Sequence, residues 1–210
     1  MMKRYTASAL LLLAIVIGAC QQGESIDNLE TEKAAIASVS GTAELSDMSL
    51  YNLESEWQNQ ENETVKLQHL QGKVQLVAMI YTSCEYACPR IVADLKRIES
   101  SLEEVKREDV GIVLVTMDPV RDTPEKLSAF AAENKLSSDR YELLTSKQEN
   151  IQELAALLNM KYKMSPNGEI AHSNIISVLN AQGEIVHQQE GLGKDPNETV
   201  EAIKGLLKKM

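Results

Sequence analysis

Two cysteines four residues apart, in Tyr81-Thr-Ser-Cys84-Glu-Tyr-Ala-Cys88-Pro-Arg90, are the residues of this 210-residue chain best suited to chemistry. Sulfur atoms at that spacing can close a disulfide, or they can hold one soft ion between two thiolates. Either use needs the thiols at a defined place, and the flanking sequence supplies one. Val74 to Tyr81 is apolar except for Gln75, the pattern of a strand covered on both faces of a parallel sheet. Pro89 has no N–H to lose and is tolerated in a first helical turn, so a helix is predicted to start there with Cys88 at or beside its cap. Ile91, Leu95, Ile98, Leu102 and Val105 follow at steps of four and three, one apolar stripe of an amphipathic helix. Unpaired N–H groups and the positive end of the helix dipole favour thiolate over thiol. Cys88 is therefore expected to be the more acidic of the pair, with Cys84 in the loop above it.

The third cysteine, Cys20, belongs to a different pattern. Lys3 and Arg4 precede an unbroken apolar run from Ala9 to Ile17, and Ile17-Gly-Ala-Cys20 ends in small residues. This is the three-part layout of an export signal, too short for a membrane span. It resembles a bacterial lipobox, which implies cleavage before Cys20 and lipid attachment to its sulfur and new amino group. A plain secretory signal and a short uncleaved anchor are the alternatives, and all three readings export the domain. Loss of residues 1–19 would take the net charge from −10 to −12. So acidic a chain, with no basic cluster, excludes nucleic acid as a partner and favours cationic surfaces or metal ions. With Cys20 at the anchor, the exported domain keeps only Cys84 and Cys88. A staple is the default use of a cysteine pair in an oxidising compartment. Closing so short a loop removes little entropy from the unfolded chain, which argues for function over structure.

Residues 20–47 are polar and acidic with small residues, and read as a tether. The globular part is predicted over 48–210. Tyr51–Leu53 and Thr64–Leu67 are expected to pair as an edge hairpin across the polar stretch Glu54–Glu63. His69 reads as a solvated loop histidine. Gly111–Met117 is a second buried strand ending at Asp118, and Thr123 and Pro124 open a helix with Leu127, Phe130 and Ala131. Tyr141–Leu144 suggests a further strand, and Ile151, Leu154, Ala155 and Leu158 mark a third helix. Lys161–Ser173 reads as a loop containing Pro166-Asn-Gly168 and His172. Ile175–Leu179 and Ile185–His187 flank Asn180-Ala-Gln-Gly183 as a hairpin. Asp195-Pro-Asn-Glu198 resembles a capping box ahead of Val200, Ile203 and Leu207. Alternating strand and helix, then a hairpin and a closing helix, predict an α/β, thioredoxin-like fold, its central mixed sheet flanked by helices and extended by the N-terminal β-hairpin. Sites in such sheets gather beyond the carboxyl ends of strands, which brings Asp118 near the cysteines.

A thioredoxin-type pair has two residues between its cysteines, and here there are three. The longer loop lets the sulfurs diverge enough to hold a low-coordinate cation such as Cu(I). Zinc normally takes four ligands, and with Cys20 at the anchor the chain has three histidines and no further cysteine to offer. By itself His172 reads as a loop histidine. The methionines Met79, Met117, Met160 and Met164 read as core or loop, and His187 as structural or exposed.

Taken together, Thr82-Ser-Cys84-Glu-Tyr-Ala-Cys88-Pro89, then Asp118-Pro-Val-Arg-Asp122-Thr123-Pro124-Glu125, then His172-Ser173 resemble the three signatures of the Sco/SenC family, in order, over the chain from about Leu45 to its end. The resemblance implies a thioredoxin-like fold, membrane anchoring, and a part in assembling the binuclear copper site of cytochrome c oxidase. It implies copper, as Cu(I) or Cu(II), held by Cys84, Cys88 and His172. Asp122 reads most simply as stabilising its turn or helix start and Asp118 as a strand-end residue, with outer groups of the site as the alternative for both. Expected partners are the copper-accepting oxidase subunit, the membrane through the lipid on Cys20, and a thiol-redox partner if the pair cycles. Expected location is the cell membrane facing the periplasm or exterior, inner or outer membrane left open. Copper carriage without turnover is the leading expectation. The alternative is a thiol-disulfide oxidoreductase in which Cys84 and Cys88 are the redox-active pair. An inert lipoprotein domain with a permanently oxidised pair is a third reading, and a peroxidase fits poorly. Glu85 departs from the proline that many members carry after the first cysteine, which bears on redox potential and metal affinity more than on fold.

Overall fold

The computed structural model describes residues 45–165 and 170–210. The elements in chain order are β1 (Glu56–Asn59), β2 (Thr64–Lys66), β3 (Val74–Ile80), α1 (Ala87–Ser100), β4 (Val110–Thr116), α2 (Pro124–Glu133) and β5 (Tyr141–Thr145). There follow α3 (Gln148–Leu157), β6 (Tyr162–Met164), β7 (Ile170–His172), β8 (Ile175–Leu179), β9 (Ile185–Glu190) and α4 (Asn197–Leu207). Seven strands form one sheet in the order β2-β1-β5-β4-β3-β8-β9. β3, β4 and β5 run parallel at its centre and the outer pairs are antiparallel. This is the mixed sheet flanked by helices that the sequence predicts. The signal peptide, Cys20, the tether up to residue 44 and Pro166-Asn-Gly168 lie outside the described residues. No helix among the described residues is long and apolar enough to cross a membrane.

The two apolar runs pair in full, from Val74 opposite Val110 to Ile80 opposite Thr116. All seven residues of β3 are buried. Because strand side chains alternate, Leu76, Ala78 and Ile80 enter one core and Val77 and Met79 the other. Ile91, Leu95 and Ile98 of α1, Leu127 and Phe130 of α2, and Val200 and Ile203 of α4 fill the first core. Ile151 and Leu154 of α3, with Tyr51 and Trp57, fill the second. Gln75, the polar interruption in β3, lies opposite Gly111 in the ladder and donates to the Leu70 carbonyl at 3.0 Å. A Cβ at Gly111 would come within 2.2 Å of the Gln75 amide oxygen, so the glycine makes room for the buried amide.

Four local expectations differ from the structure. The hairpin arms are β1 and β2, and Tyr51 lies in a 3-10 turn, Leu50–Asn52. The first arm therefore falls inside the stretch read as polar, where Trp57 and Asn59 alternate inward between exposed neighbours. Lys161–Ser173 is not all loop, since β6 and β7 pair antiparallel as a separate two-stranded sheet. The capping box does not form: Pro196 occupies the cap position without a side-chain cap bond, and Asp195 Oδ1 accepts the Asn197 N–H at 3.0 Å. Finally, α1 begins two residues before Pro89, which makes Cys88 its second residue.

The first described residues dock on the β8–β9 turn. Leu50 donates its N–H to the Gly183 carbonyl at 3.0 Å, and Ser49 Oγ donates to the Gln182 carbonyl. Gly183 has φ +84°, and the Tyr51 ring lies where its Cβ would be. Both the left-handed backbone and the close ring require glycine there.

Candidate metal centre

β3 leads directly into the thiol segment. Met117 donates its N–H to the Ile80 carbonyl at 2.8 Å, so β3 and β4 end side by side at one pole of the sheet. The chain then turns, with the Cys84 N–H donated to the Tyr81 carbonyl at 3.1 Å. Cys84 Sγ accepts the Cys88 N–H at 3.3 Å, satisfying one of the donors that a helix leaves open in its first turn. Cys88 points inward. It is 0% exposed, and its Sγ accepts the Tyr81 N–H at 3.5 Å. Neither thiol is in a disulfide.

The expected acidity is reversed. Burial pushes the Cys88 thiol well up, and the Cys84 sulfur and the Asp122 carboxylate add to the rise. Burial also acts against ionisation of Cys84, but the Cys88 N–H, the Cys88 thiol and the Tyr81 hydroxyl outweigh it and hold its pKa below the usual value. Sitting on the helix places Cys88 in the core, whereas sitting before it places Cys84 in front of the helix N–H groups.

His172 arrives from the other side, at the end of β7 and opposite Tyr162 of β6. Its neighbour closes that small sheet: Ser173 donates its N–H to the Lys161 carbonyl at 2.8 Å, and Ser173 Oγ accepts the Lys161 N–H at 3.0 Å. His172 Nδ1 lies 2.9 Å from the Ser173 carbonyl. A carbonyl can only accept, so Nδ1 carries the proton and the Nε2 lone pair is left for a metal. Burial lowers the pKa of the half-buried ring, favouring the neutral form a metal requires, and the Ser173 bond opposes this only in part.

The Cys84 and Cys88 sulfurs and a His172 ring nitrogen lie within 4.8 Å of one another. Two thiols and one neutral imidazole suit a soft ion of low coordination number. Among the described residues no fourth cysteine, histidine or carboxylate joins them, as a closed zinc site would need. Tyr81 ties the halves together. Its ring meets that of His172 edge-on, with centroids 6.0 Å apart and planes at 79°. The Tyr81 hydroxyl donates to the Ile170 carbonyl at 3.5 Å, and burial followed by the Cys84 sulfur pushes its pKa up to about 12.

Asp118 and Asp122 are both buried at the end of β4, with different attachments. Asp118 pairs with Arg121 of its own loop. Asp122 reaches the thiol segment, accepting the Thr82 N–H at 2.9 Å and the Thr82 hydroxyl at 2.5 Å, and it accepts the Thr116 hydroxyl at 2.5 Å. Neither aspartate belongs to the three-residue cluster. Tyr81, Thr82 and Ser173 stand within the motifs but are given no role by the sequence, and Thr116 is not singled out by it. The available signal was position: Tyr81 and Thr82 follow the strand that leads to the cysteines, Ser173 follows His172, and Thr116 ends the strand paired with β3. Met79, Met117 and Met160 are core residues, and His187 is half-buried against Thr199 Oγ at 3.1 Å.

A family model described as SCO1/SenC matches residues 46–208. The SCO1 protein homolog of Bacillus subtilis (strain 168) is 30% identical over 147 residues, covering 69% of this chain and 76% of that protein. The solved structure of BsSco, described through a disulfide switch and as a member of the Sco family of cytochrome c oxidase assembly proteins, is 28% identical. Its TM-score is 0.64, over 74% of this chain and 92% of that one. Yeast Sco1 with copper bound shares the fold, with a TM-score of 0.63 at 17% identity over 74% of this chain and 87% of that one. From the thiol segment at the end of β3 to the histidine that closes β7, the site and every strand and helix of the described domain fall within the matched span, and the chain belongs to the SCO1/SenC family.

Proposed function

We propose that this domain is a copper metallochaperone, with Cys84, Cys88 and His172 as ligands and copper as cargo. In this reading it is exported, held to the cell membrane by a lipid on Cys20, and donates copper to the binuclear site of a cytochrome c oxidase. The observation that carries the copper reading is the convergence of two sulfurs and one imidazole within 4.8 Å. Support for the cargo comes from yeast Sco1, whose structure holds copper, and for the acceptor from BsSco, described as an oxidase assembly protein. The export signal and Cys20 support the anchor on sequence alone.

Loading releases protons, because both sulfurs bind as thiolates while the imidazole is already neutral. The half-exposed Cys84 and His172 offer the open side of the site, and Cys88 the closed side. An acceptor thiol can therefore replace an outer ligand first while Cys88 still holds the ion. Anaerobic titration of the reduced domain should give one Cu(I) per chain. Full binding retained by Cys84→Ser or Cys88→Ser would remove the basis of the proposal.

One observation favours a second reading, thiol-disulfide exchange with an exported partner. The two thiols are unequal: Cys84 is the more exposed and more acidic, as an attacking sulfur should be, and Cys88 is buried behind it as a resolving sulfur. His172→Ala separates the readings, since it should weaken copper binding and leave exchange intact.

A further inference from the structure

We propose that Asp122 is a positioning residue of the metal site: it fixes the turn that presents Cys84, and its buried negative charge shifts the site's preference from Cu(I) toward Cu(II). The inference rests on the copper reading above and adds to it a determinant of oxidation state.

Asp122 is 0% exposed, and the hydrogen bonds it accepts come from two hydroxyls and one amide. The Thr82 N–H can only donate and both hydroxyls are able to, a donor set that suits a carboxylate. Both Thr82 donors go to this one residue, and Thr82 lies two positions before Cys84. The Thr116 hydroxyl, the third donor, stands at the end of β4, and it also accepts the Asp118 N–H at 2.9 Å. Asp122 thus pins the start of the thiol turn to the end of the neighbouring strand. Its carboxylate also stands near enough to the Cys88 sulfur to oppose ionisation of that thiol. The consecutive amides of Tyr81 and Thr82 donate to the two groups in turn, the first to Cys88 Sγ at 3.5 Å and the second to Asp122 at 2.9 Å.

Charge counting gives the direction. Two thiolates and a neutral imidazole around Cu(I) carry one net negative charge, and around Cu(II) they carry none. A fixed carboxylate nearby disfavours the first more than the second, and a buried position weakens solvent screening of that difference. Asp118 has Arg121 against it, whereas the hydrogen bonds to Asp122 are from uncharged groups.

The test compares the wild-type domain with Asp122→Asn and Thr82→Val, each checked for a cooperative urea transition. Cu(I) and Cu(II) affinities are measured anaerobically by competition with chelators. Hydrogen exchange at the Thr82–Cys84 amides is followed in copper-free protein. Asp122→Asn should raise the ratio of Cu(I) to Cu(II) affinity about tenfold or more, as loss of one nearby charge predicts. It should also speed exchange in the thiol turn while α1 is unchanged. Thr82→Val keeps the charge and loosens the turn, so both affinities should fall together by about threefold with the ratio unmoved. Equal weakening of both ions by Asp122→Asn would reduce the residue to a structural role and overturn the charge assignment. Unchanged affinities in Thr82→Val would overturn the positioning assignment, even if Asp122→Asn failed to fold. If wild-type protein bound neither ion, the copper reading itself would fail, and unaltered exchange in Asp122→Asn would then also reject the anchoring of the turn.

Discussion

Cys84 and Cys88 sit on the seam between β3 and α1, where the strand is buried along its whole length and Ile91, Leu95 and Ile98 pack the helix into the core. His172 ends a three-residue strand in a sheet of two, outside the seven-stranded one. β7 contributes one buried side chain, Ile170, and its closure depends on the Lys161–Ser173 bonds. The sulfur half of the site therefore rests on the main sheet and α1, and the imidazole half on a two-stranded sheet that meets the second core through Ile170. Local opening free energy follows the number of buried contacts, so the imidazole is the ligand able to leave without unfolding anything else.

That contrast can be broken by experiment. Cys84→Ser or Cys88→Ser should lower Cu(I) affinity by more than about a thousandfold, because a hard oxygen replaces a soft ligand. His172→Ala should cost at least the roughly 10–100-fold seen when an outer partner of a ligand is lost. Equal losses from all three would erase the distinction between the halves. Leu95→Ala, in the fully buried stripe of α1, should reduce unfolding free energy by about 2–5 kcal/mol in urea titrations. Ile170→Ala, in the second core beneath β7, should lower copper affinity as well as stability, whereas Leu95→Ala should lower stability alone. Alkylation of the copper-free domain should label Cys84 at least about tenfold faster than Cys88, given its exposure and acidity. The smallest effect lies far from the metal. The Glu142 carboxylate, 2.8 Å from His69 Nε2, raises the His69 pKa above 6.5, burial opposing. Its contribution to stability is full below pH 6.5 and fades as pH rises through the raised folded value. His69→Gln should flatten the stability curve across that window and leave copper binding unaltered.

Elements with a long, unmixed apolar pattern were legible in the sequence. β3, β4 and the stripe of α1 read directly because burial on both faces, or along one helical face, leaves a simple periodicity. The hairpin of β1 and β2 was displaced because its signal is one tryptophan and one asparagine among polar residues. β6 and β7 were hidden because three-residue strands carry almost no periodicity. In the site, the cysteines were visible as a pair, while His172 stood out only through the family resemblance, being distant in sequence and set among loop residues. The relative acidity of the thiols was misjudged for a geometric reason. Helix proximity can be read from sequence, but which sulfur faces the N–H groups and which faces the core depends on where the first turn begins.

One further consequence follows from the way Ser49, Leu50 and Tyr51 clamp the β8–β9 turn. β8 runs antiparallel to β3, with Leu179 opposite Gln75, so that turn lies at the end of the sheet where β3 begins. The thiols lie where β3 finishes, seven residues and roughly 23 Å farther on. Under the proposed anchor, the described domain would be entered at Leu45, by the end of the sheet opposite the sulfurs. With a lipid at Cys20, the intervening residues would extend at most about 85 Å at ~3.4 Å each. If the proposed function holds, the end of the sheet that carries the sulfurs, and not the end that receives the chain at Leu45, is the one left free for an acceptor.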